Sequence, residues 1–231
     1  MEIDYNLKKN SGIYLGASKN LVYKFYFNQK KSRDDKLINE YNGNHWYLSR
    51  IKNNEIKNLK IIKKKTNIDL IRIPYFYGKK LKFWKNILNK ENEILLVLNH
   101  YKNIWPKNKK LVPYHGDLTL SNIIFQKKNV RFIDWENFEK KKLWGLDICY
   151  FLLSLILLPA ICNKDNNISE DIKKNFIMFW QFFFKNNNSE YLNDPISYLQ
   201  TKTSLSQDSF LNIIPKRLKK NIYQILDEAS K

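Results

Sequence analysis

One run of residues constrains this chain more than any other: Tyr114-His115-Gly116-Asp117-Leu118-Thr119-Leu120-Ser121-Asn122-Ile123-Ile124-Phe125, followed by Val130-Arg131-Phe132-Ile133-Asp134-Trp135-Glu136. The apolar stretches Ile123–Phe125 and Val130–Ile133 flank the polar Gln126-Lys127-Lys128-Asn129 and read as two short strands joined by a turn. Such a hairpin returns Asp134 to the side of Asn122, where one cation can be shared between them. Asp117 stands five residues before that asparagine. An aspartate that accepts a hydroxyl proton, an amide five residues on and a second aspartate after the next strand have the spacing of a phosphoryl-transfer loop.

The His-Gly-Asp-x-x-x-x-Asn pattern at 115–122 has Gly116 where protein kinases usually carry arginine, and Ile133-Asp134-Trp135-Glu136 stands in place of Asp-Phe-Gly. It resembles the aminoglycoside phosphotransferase and choline kinase family of small-molecule kinases. The core of the match covers residues 114–150, and a weaker likeness extends over most of the remaining chain. The resemblance implies an α+β, two-lobed, protein-kinase-like fold. Residues 1–78 would form a small antiparallel-sheet lobe with one helix, and 79–231 a larger, mostly helical lobe carrying the catalytic-loop hairpin. It implies ATP and Mg2+ as cofactors, Asp117 as the base, and Asn122 and Asp134 as metal ligands. Asn137 to Ile148 resembles the family's Gly-x-x-x-x-Asp-Leu-Ala segment, so Asp147 and His115 would brace the loop rather than take part in chemistry. The competing reading makes Asp147 a cap on an apolar helix.

Toward the N-terminus, Ile3–Leu7, Gly12–Leu15 and Leu21–Phe27 alternate in part with period two, with turns at Asn10-Ser11-Gly12 and Gly16–Asn20. They predict a three-stranded antiparallel start. Lys24 on the third strand sits where kinases place the lysine that pairs the α- and β-phosphates. Asp34 or Asp35 would cap a helix over Lys36–Leu48 with Leu37, Tyr41 and Leu48 near one face. Glu40 on that helix would hold Lys24, unless both are ordinary solvated charges. The chain has no Gly-x-Gly-x-x-Gly, only Gly12 beside Ser11. Leu59–Ile62 and Leu70–Gly78 read as two further strands around Thr66-Asn67. In the resemblance the second ends at the hinge, where Tyr75, Phe76 and Tyr77 would sandwich adenine; aromatics at a strand end can equally be core.

Beyond the hinge, Phe83, Ile87, Ile94, Leu95, Leu98 and Tyr101 recur at helical steps. Lys107–Lys110 reads as a solvated connection or as a grip on substrate phosphates. Ile148–Cys162 is intensely apolar yet short of the ~20 residues a spanning helix needs, so it predicts a buried helix that Pro159 ends or kinks. Cys149 and Cys162 lack any paired metal-ligand spacing and read as reduced core residues. Helical patterns follow over 172–184, 196–205 and 210–226. The aromatic run Phe176–Phe184 implies either deep burial or a greasy contact surface.

A net charge of +19 attracts polyanions. The lysines are spread along the chain among many asparagines, and no helix-turn-helix, zinc finger or stacking motif accompanies them. This disfavours nucleic acid as the main partner and leaves an anionic membrane surface or an anionic substrate. Such a chain is a poor host for polycationic aminoglycosides. Met1-Glu2-Ile3-Asp4 argues against a secretory signal, which makes the cytoplasm the expected compartment. The preferred acceptor is a hydroxyl of a sugar or sugar-containing molecule, as in surface polysaccharide assembly. Two alternatives stand beside it. One is a choline, ethanolamine or other amino-alcohol kinase, whose ligand needs an aromatic or acidic cage; the sequence pattern does not place the available aromatics, Trp144, Trp180 and their neighbours. The other is a kinase-fold binding module without transfer.

Overall fold

The computed structural model describes residues 13–18, 21–27, 32–63, 68–81, 90–164, 167–203 and 209–231. The expected strand at Ile3–Leu7, the Ser11-Gly12 and Thr66-Asn67 turns, and Phe83 and Ile87 lie outside the described residues. Strands β1 (Ile13–Ser18), β2 (Leu21–Phe27), β3 (Lys60–Lys63) and β4 (Ile68–Pro74) form an antiparallel sheet in the order β1-β2-β4-β3. Gly16, Ala17 and Ser18, expected in a turn, stay in the ladder opposite Tyr23, Val22 and Leu21. Cross-strand hydrogen bonding there overrides the turn preference of Gly-Ala-Ser.

Helix α1 (Ser32–Arg50) begins before the expected cap. Positions 34 and 35, expected to cap it, therefore fall inside the helix. Its Leu37 and Leu48 join Leu59, Ile71, Ile73 and Phe76 from the sheet side and Ile124 in a small apolar core. Alternation along β2 turns Lys24 toward the same helix, and this is what lets a strand lysine meet a helix carboxylate.

The second, larger core gathers α2 (Glu91–Ile104), β5 (Leu111–Tyr114), β6 (Ile123–Gln126), β7 (Asn129–Phe132), β8 (Glu139–Leu143), α3 (Leu146–Cys162), α4 (Glu170–Phe184), α5 (Pro195–Lys202) and α6 (Lys216–Ala229). Every residue of α3 from Leu146 to Leu157 is buried, as an all-apolar helix requires. Pro159 does not end it, since the helix continues to Cys162, although the proline has no N–H to give the Leu155 carbonyl. Cys162, at the helix end, is exposed rather than core; Cys149 is buried. Among the described residues no helix is long and apolar enough to cross a membrane.

Gln126 pairs with Asn129, so Lys127-Lys128 alone make the β6–β7 turn, a two-residue hairpin tighter than the four-residue turn expected. Phe176, Phe179, Trp180, Phe183 and Phe184 bury one face of α4, while Met178 and Phe182 of the same run are exposed, so the run is divided between core and surface. The stretch expected as one helix over 210–226 is two elements. A 3-10 turn, Phe210–Ile213, is separated from α6 by Ile214-Pro215, because proline lacks the N–H and its predecessor avoids helical angles. The two cores are joined through α1: Tyr47 stacks on Phe132 at 5.7 Å and its hydroxyl accepts the Phe132 N–H at 3.2 Å. This junction fixes the β6–β7 hairpin beneath the sheet and helix that carry Lys24 and Glu40.

Candidate active site

The loop from His115 to Asn122 is shaped by its backbone. Strand β5 delivers His115, Gly116 turns with φ +88°, and a 3-10 turn at Leu120–Asn122 leads into β6. Gly116 is required because a Cβ there would lie 2.2 Å from the carbonyl oxygen of Asn137. Asp147, in the first turn of α3, accepts the His115 N–H at 3.0 Å on both carboxylate oxygens and the Gly116 N–H at 3.2 Å on Oδ1. The α3 N-terminus is formed by Gly145 with φ 84°, so Asp147 spends its oxygens on the loop and not on capping. Burial pushes its carboxyl up to about 7 against these donors.

His115 is fully buried. The Asp117 N–H donates to its Nδ1 at 3.3 Å, which leaves Nε2 as the N–H that donates to the Ile133 carbonyl at 2.9 Å. Burial, ahead of these contacts, lowers its pKa to about 4, so the neutral ring ties the start of the loop to the residue before Asp134. On the far side the Ile133 N–H donates to the Asn122 carbonyl at 3.0 Å.

Asp117 is gripped from two directions. Asn122 Nδ2 donates to its carbonyl at 2.7 Å and to Oδ2 at 3.1 Å, and the Tyr150 hydroxyl donates to Oδ1 at 3.3 Å. Burial first, and Asp134 second, push its carboxyl up to about 7. Because Asn122 Nδ2 faces Asp117, Oδ1 is the amide's remaining acceptor.

Lys24 unites residues distant in sequence. Its Nζ lies 2.7 Å from Asp134 Oδ1, 3.0 Å from Glu40 Oε2 and 3.4 Å from Glu136 Oε1. Glu40 is fully buried and accepts from Asn44 Nδ2 at 2.9 Å, one helical turn on; burial pushes its carboxyl up although Lys24 pulls it down. For Asp134, burial works against the charge, yet Lys24 prevails and holds the carboxyl below its ordinary range. Asp134 has φ 69°, a conformation costly for a non-glycine residue and concentrated at functional sites.

Carboxylate oxygens of Glu40, Asp134 and Glu136 lie within 4.8 Å of one another. Three carboxylates face the Lys24 ammonium, with Lys36 reaching Glu136 at 3.7 Å, so the cluster tolerates added positive charge. These all-oxygen donors are of the kind that suits a hard divalent cation such as Mg2+.

The cleft beside it has a volume of about 360 Å³ and runs from Lys24, Glu40 and Asp134 to Pro74, Tyr75 and Phe76. Tyr75 and Phe76 line it. Tyr77 does not: it is 63% exposed and packs edge-on against Tyr75 at 4.7 Å. The three aromatics follow the end of β4 at Pro74, where no strand period fixes which way each side chain turns. Trp144 and Trp180 are core, stacked on Phe183 at 5.0 Å and packed on Phe184 at 4.7 Å, and neither is available for a cationic cage. Sequence reasoning missed Glu136, Tyr150, Asn44 and Lys80, which lines the cleft. Asn44 and Tyr150 were within reach of that reasoning, being one helical turn from Glu40 and Asp147.

No protein-family model and no curated protein matches the sequence. In three dimensions the chain is similar to an amicoumacin kinase solved in complex with AMP-PNP, Ca2+ and Ami, at 10% identity and a TM-score of 0.51 over 98% of this chain and 87% of that one. It is also similar to an aminoglycoside-3'-phosphotransferase of type VIII, at 12% identity, a TM-score of 0.47, and coverage of 98% and 93%. A choline/ethanolamine kinase family protein from Mesorhizobium loti follows at 9% identity, a TM-score of 0.42, and coverage of 98% and 92%. A small antiparallel sheet with one helix, followed by a mostly helical region that carries a short hairpin, is a protein-kinase-like fold, and this is the fold of the chain.

Proposed function

We propose that this chain is an ATP- and Mg2+-dependent small-molecule kinase that transfers the γ-phosphoryl group to a hydroxyl. The observation that carries the proposal is the meeting of Lys24 with Glu40 and Asp134 at 3.0 and 2.7 Å, across 110 residues of sequence in the latter case, at the wall of a cleft. Lys24, fixed by Glu40, aligns the α- and β-phosphates, and Tyr75 and Phe76 cover the base. Asn122 and Asp134 would hold Mg2+, which when bound neutralises charge on the phosphates. Asp117 orients the acceptor hydroxyl and takes its proton as the oxygen–phosphorus bond forms and ADP leaves. Asp147 and His115 keep Asp117 in place. The lobes divide near Gly78, with the nucleotide between 1–78 and 79–231.

For the acceptor, the net charge of +19 supports a sugar or sugar-containing molecule bearing anionic groups. An amino-alcohol acceptor would need a cage drawn from residues other than Trp144 and Trp180, which are committed to the core. The test is ADP formation with sugars, glycans and amino alcohols as acceptors, read by coupled assay and product mass spectrometry. The proposal expects Mg2+-dependent turnover that Asp117→Asn abolishes. Turnover equal in that variant, or none with any acceptor despite bound nucleotide, sinks the kinase in favour of a binding module.

A further inference from the structure

Helix α6 carries its charges against its own dipole. Lys216, Arg217, Lys219 and Lys220 crowd its first turns, where the helix end is already positive and each added cation is unfavourable. At its other end, acids sit at the negative terminus, but those are neutralised: Lys231 meets Asp227 at 2.7 Å and Lys173 meets Glu228 at 2.9 Å. The four N-terminal cations have no acidic partner among the described residues, and only Lys219 leans toward a ring, Tyr223, at 6.0 Å. Lys216, Arg217 and Lys220 are exposed. Directly before them the chain presents Ile213, 58% exposed, then half-buried Ile214 and exposed Pro215. The packing face of α6 (Leu218, Ile222, Ile225, Leu226) is buried, so this tip and these cations are the surface left over.

The place of this surface is informative. Phe210, three residues before Ile213, packs on Tyr150 at 4.9 Å, and the Tyr150 hydroxyl donates to Asp117. At the 3-10 rise, Ile213 is roughly 6 Å further along the chain axis. The exposed Ile213 and the cations that follow it are thus joined to Asp117 through Phe210 and Tyr150.

We infer that the face made by Ile213 and the first turns of α6 docks on an anionic membrane surface, Ile213 entering the interface and Lys216, Arg217 and Lys220 meeting acidic headgroups. An anionic bilayer offers both negative charge and apolar depth, which fits this pairing better than a nucleic acid, whose backbone offers only the first. Resting on the kinase reading above, the inference makes the acceptor a hydroxyl borne by a lipid-anchored molecule held at that surface.

The test is co-sedimentation with phosphatidylcholine vesicles, with and without phosphatidylglycerol, in the absence of nucleotide. Wild type and Asp134→Ala are expected to bind the anionic vesicles equally, which separates this surface from the fate of the kinase assignment. A Lys216→Gln/Arg217→Gln/Lys220→Gln triple variant is expected to bind on the order of a hundredfold more weakly. Its thermal midpoint should rise, since charges opposing the helix dipole are gone. Ile213→Ser should weaken anionic-vesicle binding about fivefold with the salt held constant. Triple-variant binding equal to wild type, or Ile213→Ser binding equal to wild type while duplex DNA binding falls with the cations, overturns the inference; the latter result marks a general polyanion surface.

Discussion

Gly116→Ala is the substitution whose cost can be worked most directly from the structure. The residue has φ +88°, where a side chain costs roughly 1–2 kcal/mol relative to glycine. A methyl group there would also sit 2.2 Å from the Asn137 carbonyl oxygen and 2.6 Å from the Asn137 Cβ. The first of these is backbone, so the relief has to come from shifting the loop or the Asn137 turn. That adds about 1–3 kcal/mol, in the range of overpacked sites. The sum, about 2–5 kcal/mol, corresponds to a drop of about 4–20 °C in thermal midpoint for a chain of this size. Any displacement passes directly to the adjacent Asp117, and a misplacement of about 1 Å is expected to lower turnover about a hundredfold. Urea unfolding and ADP formation measured on the same preparation check both parts. A variant within about 0.5 kcal/mol of wild type, with unchanged turnover, refutes the close approach. The same calculation explains why an arginine, usual at this place in protein kinases, has no room here.

Three further expectations follow from two single substitutions and one titration. Gly43→Ala in α1 should not gain the ~1 kcal/mol that helix propensity offers but lose about 1–3 kcal/mol by urea unfolding, because a Cβ would meet the Trp135 side chain at 2.6 Å; a stabilised variant contradicts this packing. His100 has its pKa lowered to about 4, by burial first and Arg131 second. The unfolded chain therefore binds more protons between pH 4 and 6.5, and this residue costs up to about 3 kcal/mol of stability as pH falls through that window. An NMR titration of the ring near 6.5 would contradict it. Asp117→Asn should keep nucleotide affinity within a few-fold while losing about 10²–10⁴ in turnover, the usual share of a general base, and a matching loss of affinity would move Asp117 into nucleotide binding.

Much of this site was legible because its residues lie close in sequence. Asp117, Asn122 and Asp134 span one loop and one hairpin, and Asp147 follows within the same stretch. Lys24 and Glu40 were readable from the strand-then-helix order that the resemblance to kinases supplied. What period cannot supply is direction at an element's end: Tyr75, Phe76 and Tyr77 look alike in sequence, and only the packed backbone turns Tyr77 outward. Glu136 was hidden for a related reason, because its approach to Lys24 depends on the positive φ of Asp134. Trp144 and Trp180 could not be placed from pattern, as an aromatic suits a core and a binding cage equally well. The break at Ile214-Pro215 was signalled by proline, yet the apolar period across it masked the two elements.

The central claim is a Mg2+-dependent nucleotide site organised by Lys24 and Asp134, and calorimetric titration of ATP with and without Mg2+ tests it most directly. The measurement is made on wild type, Lys24→Ala and Asp134→Ala, with circular dichroism confirming that all three are folded. The account predicts binding in wild type that requires Mg2+ and is lost or weakened at least tenfold in both variants, about 1.4 kcal/mol or more. Undetectable binding to wild type at millimolar nucleotide, or equal Mg2+-dependent affinity in all three proteins, contradicts it.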